Sequence, residues 1–329
     1  MKVLVTGATT PLGVALVEHL VAQPWVEHVL AIAREPAGPF ASSRVTYASC
    51  DLTRARTLHD LLWGPGRRLG IDTVIHGALH RSARDRGTRI RAENVGITRQ
   101  LLAALERHPT IRRLVLRSGA EVYALRDTEP NLLDEDAPLE LDPAAPQWVR
   151  DRVEADLTTC ARMCSAGTAI AVARCAEVLA PASGSQLWDY LQTRVCLRPL
   201  GFDPMINLLS VADHARALAL VARSSAVGVF NIPGADTLPL SRIVTLAGRL
   251  GVPLPGPLLH PLYQLRTWTI GLEFRYDLNL RRFHFGGVLD GTRAQQVLGY
   301  RPRHPIWPRP NGEPPGARGL PRAPAFARR

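Results

Sequence analysis

Lys2-Val3-Leu4-Val5-Thr6-Gly7-Ala8-Thr9-Thr10-Pro11-Leu12-Gly13-Val14-Ala15-Leu16-Val17 is the stretch from which the rest of the chain is read. A short Val/Leu run predicts a buried parallel strand, and a glycine-punctuated turn follows it. Leu12, Leu16, Val17 and Leu20 then fall at helical spacing. Such a strand-turn-helix unit leaves the first backbone N–H groups of the helix converging on one point, backed by the positive end of its dipole. A diphosphate is the usual guest there. Gly7 and Gly13 stand where the tight turn and the close helix packing need glycine, but Thr10 stands where backbone would approach the phosphate.

Outward from this unit, strands are predicted at 28–34, 44–47, 72–78, 113–118 and 168–174, with helical patterns between them. Regular alternation of strand and helix implies an α/β fold with a doubly wound parallel sheet, Rossmann-like, covered on both faces. Beyond it come Pro- and Gly-interrupted segments, a helix at 211–223, a strand at 228–232 and a helix at 240–250. The expected organisation is a nucleotide-binding-type core at 1–175, a smaller C-terminal substrate-type lobe at 176–301, and a disordered tail at 302–329. That tail has eight prolines among 28 residues and several arginines.

Composition excludes some functions. No apolar run reaches the length of a membrane-spanning helix, and the N-terminus lacks a secretory signal pattern, so a cytoplasmic protein is expected. The net charge is +11, yet Lys2 is the only lysine and many arginines lie near the C-terminus. A nucleic-acid partner is therefore not expected. The odd set Cys50, Cys160, Cys164, Cys175 and Cys196 reads as free thiols, and His76 with His80 lacks a third ligand, so no metal is expected.

Seven stretches in order resemble the extended and atypical short-chain dehydrogenase/reductase superfamily, the NAD-dependent epimerases and dehydratases. The turn resembles TGxxGxxG, Asp51-Leu52 the adenine-contacting pair, and Ile75-His76-Gly77-Ala78 the strand exit that follows. Asn94-Val95-Gly96-Ile97-Thr98, Val122-Tyr123, Leu209-Ser210-Val211-Ala212-Asp213 and 228–234 are similar to later family motifs. The resemblance implies a cofactor site at Gly7, Thr9, Thr10, Leu12, Gly13, Arg34, Asp51, Leu52, Gly77 and Ala78. It also implies a homodimer through the helix that carries Trp148, and a small-molecule ligand in the substrate cleft.

The family's chemistry uses a tyrosine as acid/base, a lysine four residues later that lowers its pKa, and a serine that bonds the reacting oxygen. Trp148 stands at the tyrosine position, Arg152 at the lysine and Gly119 at the serine, with Ser118 as a neighbouring substitute. Indole does not titrate usefully, so Trp148 is expected to fill space, and Tyr123 is expected to pack. Ala33 replaces the acidic residue that would hold a ribose 2′-hydroxyl, and Arg34 follows it. That pair favours NADP over NAD, if either binds.

The leading expectation is a nucleotide-binding or scaffolding protein without hydride transfer. The alternatives are an enzyme using the same fold for cyclisation, elimination or isomerisation, an atypical NADP-dependent oxidoreductase or epimerase, and binding to an anionic partner through the basic tail.

Overall fold

The structure is a computed structural model describing residues 1–80, 82–127, 130–163 and 167–307. Cys164 and residues 308–329 of the expected tail lie outside the described residues. Seven strands form the central sheet: β1 (Lys2–Thr6), β2 (His28–Ala33), β3 (Val45–Ser49), β4 (Thr73–His76), β5 (Arg113–Gly119), β6 (Ala169–Cys175) and β7 (Gly228–Ile232). Their spatial order is β7-β6-β5-β4-β1-β2-β3, and every neighbouring pair is parallel. The order reverses beside β1, which places a crevice at the carboxyl ends of β1 and β4.

Strand alternation divides the apolar residues between two layers. Val3 and Val5 of β1 join a core with α1 (Pro11–Val21), while Leu4 joins a second core across the sheet. That second layer contains α2 (Ala55–Leu61) and α3 (Ile97–Leu105), which follows a π-helical turn at Ala92–Gly96. Leu12, Leu16, Val17 and Leu20 are the buried face of α1, as their spacing predicts. The helical pattern before the strand expected at 168–174 is α4 (Gln147–Cys160), and α5 (Val211–Arg223) packs beside α1.

A third apolar cluster lies within the C-terminal half. Tyr190, Tyr263, Phe274 and Phe283 meet edge-to-face or tilted, at centroid distances of 4.9–6.5 Å. Segments too irregular to assign from periodicity are short strands here. Val195–Pro199 pairs with Leu250–Leu254, and Met205–Leu209 pairs with Asp236–Pro239 and Glu177–Val178.

The beginning of the expected loose tail is docked. The backbone N–H groups of Arg303 and His304 donate to Asp213, and that of Ile306 donates to Asp236. Trp307 is buried beside them. Two buried carboxylates thus satisfy a segment whose composition alone reads as unstructured.

Gly13 shows how tightly the first unit is packed. A Cβ there would lie 2.2 Å from the Gly7 carbonyl oxygen, where no side chain can yield. Gly13→Ala should therefore destabilise the fold by about 1–3 kcal/mol, read as a lower midpoint in urea unfolding.

Candidate functional site

Gly7 takes φ +71°, in the region that favours glycine, and its α-carbon faces the backbone of Gly77 and Ala78. Thr10 is the N-cap of α1, and its hydroxyl accepts the Gly13 N–H at 2.8 Å. Its own N–H donates to the Gly7 carbonyl, and Pro11 has no N–H to offer. Among the described residues, Leu12 keeps the one first-turn N–H without a protein acceptor. The turn has the family's shape, with most of its donors already used.

Two cavities open from this turn. The larger, about 330 Å³, is lined by Gly7, Thr9, Thr10, Ala33, Arg34, Leu52 and Ala78 among others, so it gathers most of the expected cofactor residues. Its mouth is acidic. Arg34 is held at 3.2 Å by both Asp51 and Glu93, and Thr9 donates to Glu35 at 2.6 Å. Hydrogen bonds from Thr53, with the Arg34 guanidinium beside it, hold the Asp51 carboxyl below its usual range. His80 is bridged by Glu93 at 3.0 Å and Asp85 at 2.7 Å. No group of His, Cys, Asp and Glu with metal-ligand geometry exists among the described residues.

The second cavity, about 30 Å³, is lined by Leu12, Gly13, Gly77, Arg117, Arg152 and His214, and it shares Gly7, Thr10 and His80 with the larger one. Ala182, at φ +50°, belongs to the loop that lines its far side. A third cavity, about 240 Å³, lies between the core and the C-terminal segments, with Glu121, Tyr123, Trp148, Ile206, Asn279 and Arg281 in its wall.

Trp148 and Arg152 are one turn apart on α4, and both are buried at 7% exposure. The Arg152 guanidinium lies over the indole at 4.8 Å from its centroid and forms an ion pair with Glu121. Burial and then nearby Arg117 push the Arg152 guanidinium below its ordinary pKa. The Glu177 carboxylate opposes that push.

Gly119 follows from the same pair. A Cβ at this position would lie 2.2 Å from a Glu121 carboxylate oxygen. The space a serine side chain would need is thus occupied by Glu121. Because Glu121 and Trp148 line the 240 Å³ cavity and Arg152 lines the 30 Å³ one, this cluster forms the partition between them. The Trp148 Nε1–H has no acceptor among the described residues.

Ser118 points elsewhere. Its hydroxyl donates to Asp156 at 2.6 Å inside a buried network, and neither Ser118 nor Asp156 lines any of these cavities. Arg174 forks onto Asp156 at 3.1 and 2.8 Å and donates to the Tyr123 hydroxyl, which in turn donates to Asn231 at 2.6 Å. Burial pushes the Tyr123 phenol up to about 12, which suits its expected packing role.

His76 ties the β1 and β4 ends together. Thr6 Oγ1 accepts the N–H groups of Gly77 and Ala78, so its own hydrogen goes to His76 Nδ1. His76 Nε2 then donates to Thr98, whose hydroxyl donates to the Asn94 carbonyl.

Sequence reasoning missed Glu121, Glu35, Arg117 and His214. Glu121 was within reach, since it lies two residues beyond Gly119 and just before Val122-Tyr123. His214 had no signal, for it sits on the apolar face of a regular helix.

A parallel Rossmann-type sheet with its cleft at the carboxyl ends of β1 and β4 defines a nucleotide-binding class of protein. Residues 3–232 match the NAD dependent epimerase/dehydratase family, and the chain belongs to that family. It is similar to an uncharacterised protein of Mycobacterium tuberculosis, 30% identical over 308 residues, covering 92% of this chain and 80% of the relative. A 3-diazoavenalumate denitrifying reductase of Streptomyces is 29% identical over 321 residues, covering 93% of this chain and 98% of the relative.

Among solved structures, the dTDP-glucose 4,6-dehydratase of Bacillus anthracis in complex with NAD superimposes with a TM-score of 0.67 at 16% identity, covering 92% of each chain. The UDP-glucose 4-epimerase of Thermotoga maritima with UDP-glucose gives 0.68 at 15% identity, covering 92% of this chain and 94% of that one. These two likenesses establish fold. No helix among the described residues is long and apolar enough to cross a membrane.

The histidines give the fold an acid limit. Burial pushes His76 down to about 4, and burial together with Arg117 pushes His214 down to about 3, against an ordinary value of 6.5. Both are neutral when folded and become charged when unfolded. Their contribution is complete above about pH 6.5 and is lost as pH falls through the interval down to those folded values. Each should cost about 1.4 kcal/mol per pH unit within it. Urea midpoints measured from pH 7 to 4 should therefore fall, and His214→Leu should flatten that fall.

Proposed function

We propose that this chain is a nucleotide-binding member of its family that has given up tyrosine-based hydride transfer and acts as a binding or scaffolding protein. The observation that carries the reading is the Glu121–Arg152–Trp148 cluster. At the three positions where the family places proton-handling groups, this chain has an indole, a guanidinium already paired with a carboxylate, and a glycine whose side-chain space is filled. None of these moves a proton near neutrality as a phenol beside an ammonium does.

The cleft fits one half of a dinucleotide. Gly7 and Gly13 keep the close backbone approach, and the 330 Å³ cavity offers Leu52, Ala33 and Ala78 to an adenosine. NAD or NADP would supply hydride chemistry when bound. The narrow cavity where the nicotinamide end would continue is only about 30 Å³, a little over twice what one water needs, and does not fit that ring. Arg34 already has two carboxylate partners, and Glu35 and Asp85 add negative charge to the mouth. A ribose without a 2′-phosphate therefore suits the mouth better, and the NADP preference drawn from Ala33 and Arg34 gives way.

One observation favours a second reading, an enzyme without hydride transfer. Glu121 places a carboxylate in the wall of the 240 Å³ cavity, where it would serve as proton acceptor in an elimination or isomerisation once a ligand loosened its contact with Arg152.

Titration of the purified protein with NADH, NADPH and their oxidised forms, followed by fluorescence and thermal shift, tests the first reading. Binding without sustained oxidation or reduction in the presence of nucleotide sugars is expected. Steady turnover abolished by Arg152→Ala would overturn it. Conversion of a ligand by the wild type but not by Glu121→Gln, with no change in nicotinamide absorbance, would establish the second reading.

A further inference from the structure

The narrow cavity behind the glycine turn collects donors that no protein acceptor answers. His214 is 2% exposed, and among the described residues neither of its ring nitrogens has a partner. The Nε groups of Arg117 and Arg152 are also buried without acceptors. Arg152 has Glu121 as counter-ion, whereas no carboxylate forms an ion pair with Arg117 among the described residues. Arg117 is close enough to lower the protonation of both Arg152 and His214. Buried donors without acceptors, facing one space beside an unanswered cation, are costly in an empty site and are satisfied by an anion.

The position and size of that space identify the anion. It touches Leu12 and Gly13 at the start of the 11-residue helix α1, whose dipole favours negative charge. It shares Gly7 and Thr10 with the 330 Å³ cavity, so a ligand seated in the larger cavity enters the narrow one beside the turn. A compact phosphate group suits the narrow cavity, and a nicotinamide ring exceeds it.

Building on the nucleotide-binding reading above, we propose that the cleft takes an adenine nucleotide that ends at its diphosphate, with Arg117 and His214 as diphosphate ligands. They replace the N–H donors that Thr10 and Pro11 remove from the turn. Nothing is transferred in this step, which is reversible binding of ADP or an ADP-like group.

Calorimetric titration of the full chain with ADP, AMP and NAD, repeated on Arg117→Gln and His214→Leu, tests the assignment. ADP should bind about tenfold more tightly than AMP or NAD, and each substitution should weaken ADP about tenfold while leaving AMP within about twofold. Wild-type ADP affinity in both variants, or NAD binding more tightly than ADP, overturns this inference and leaves nucleotide binding standing. Failure of all three ligands to bind the wild type overturns the nucleotide-binding reading itself. If Arg117→Gln does not fold, inorganic pyrophosphate competing with ADP on the wild type decides the same point: displacement supports the diphosphate seat, and no displacement overturns it.

Discussion

Arg152 cannot stand alone where the fold places it. A guanidinium buried to 7% exposure loses its hydration and needs a carboxylate at contact distance, and Glu121 supplies one across the carboxyl end of β5. That carboxylate crosses over the backbone at residue 119, so a side chain there would have to displace it from where it pairs with Arg152. The indole of Trp148 then closes the outer face of the guanidinium. Residues 119, 148 and 152 are thus tied into one arrangement around a single ion pair.

The frame around this rearrangement survives because a different set of residues holds it. Alternation along β5 sends Arg117 toward α1 and α5 and Ser118 toward α4. On the α4 side, Asp156 accepts from Ser118 and from the Arg174 fork, and Tyr123 and Asn231 extend the chain of bonds to the loop at Glu135. This network joins β5, β6, β7 and α4 and lines neither cavity beside the glycine turn; only Tyr123 reaches the 240 Å³ one, so the turn's surroundings can change while the sheet does not. Fold and chemistry are separable here because neighbouring positions on one strand face opposite layers.

The same separation decides what was legible before the structure. Parallel strands buried on both faces announce themselves as apolar runs, and α1 shows its buried face by spacing, so the parallel sheet follows from local pattern, while its strand order came only with the structure. The conformation of the turn was legible because glycine geometry is local. Glu121 filling the space at Gly119 was not, since nothing in residue order says that a side chain folds back over its own strand. His214 and Arg117 meet only through the packing of α5 across the sheet. The docked segment through Trp307 escaped for a related reason: Asp213 and Asp236 are far from it in sequence.

The turn itself shows what the chain has exchanged. A threonine N-cap typically stabilises a helix by about 1 kcal/mol, and proline at the first helical position is preorganised for it. Thr10 and Pro11 give α1 both features, with Gly13 N–H bonded at 2.8 Å. Each gain removes a donor that would otherwise face an anion. A helix start that satisfies itself binds phosphate poorly through its backbone, so negative charge arriving there must be met by side chains. Arg117 and His214 are the groups placed to meet it, and among the described residues neither has a hydrogen-bond or ion-pair partner that competes. Recognition in this cleft has moved from the main chain, which any member of the fold offers, to side chains particular to this one.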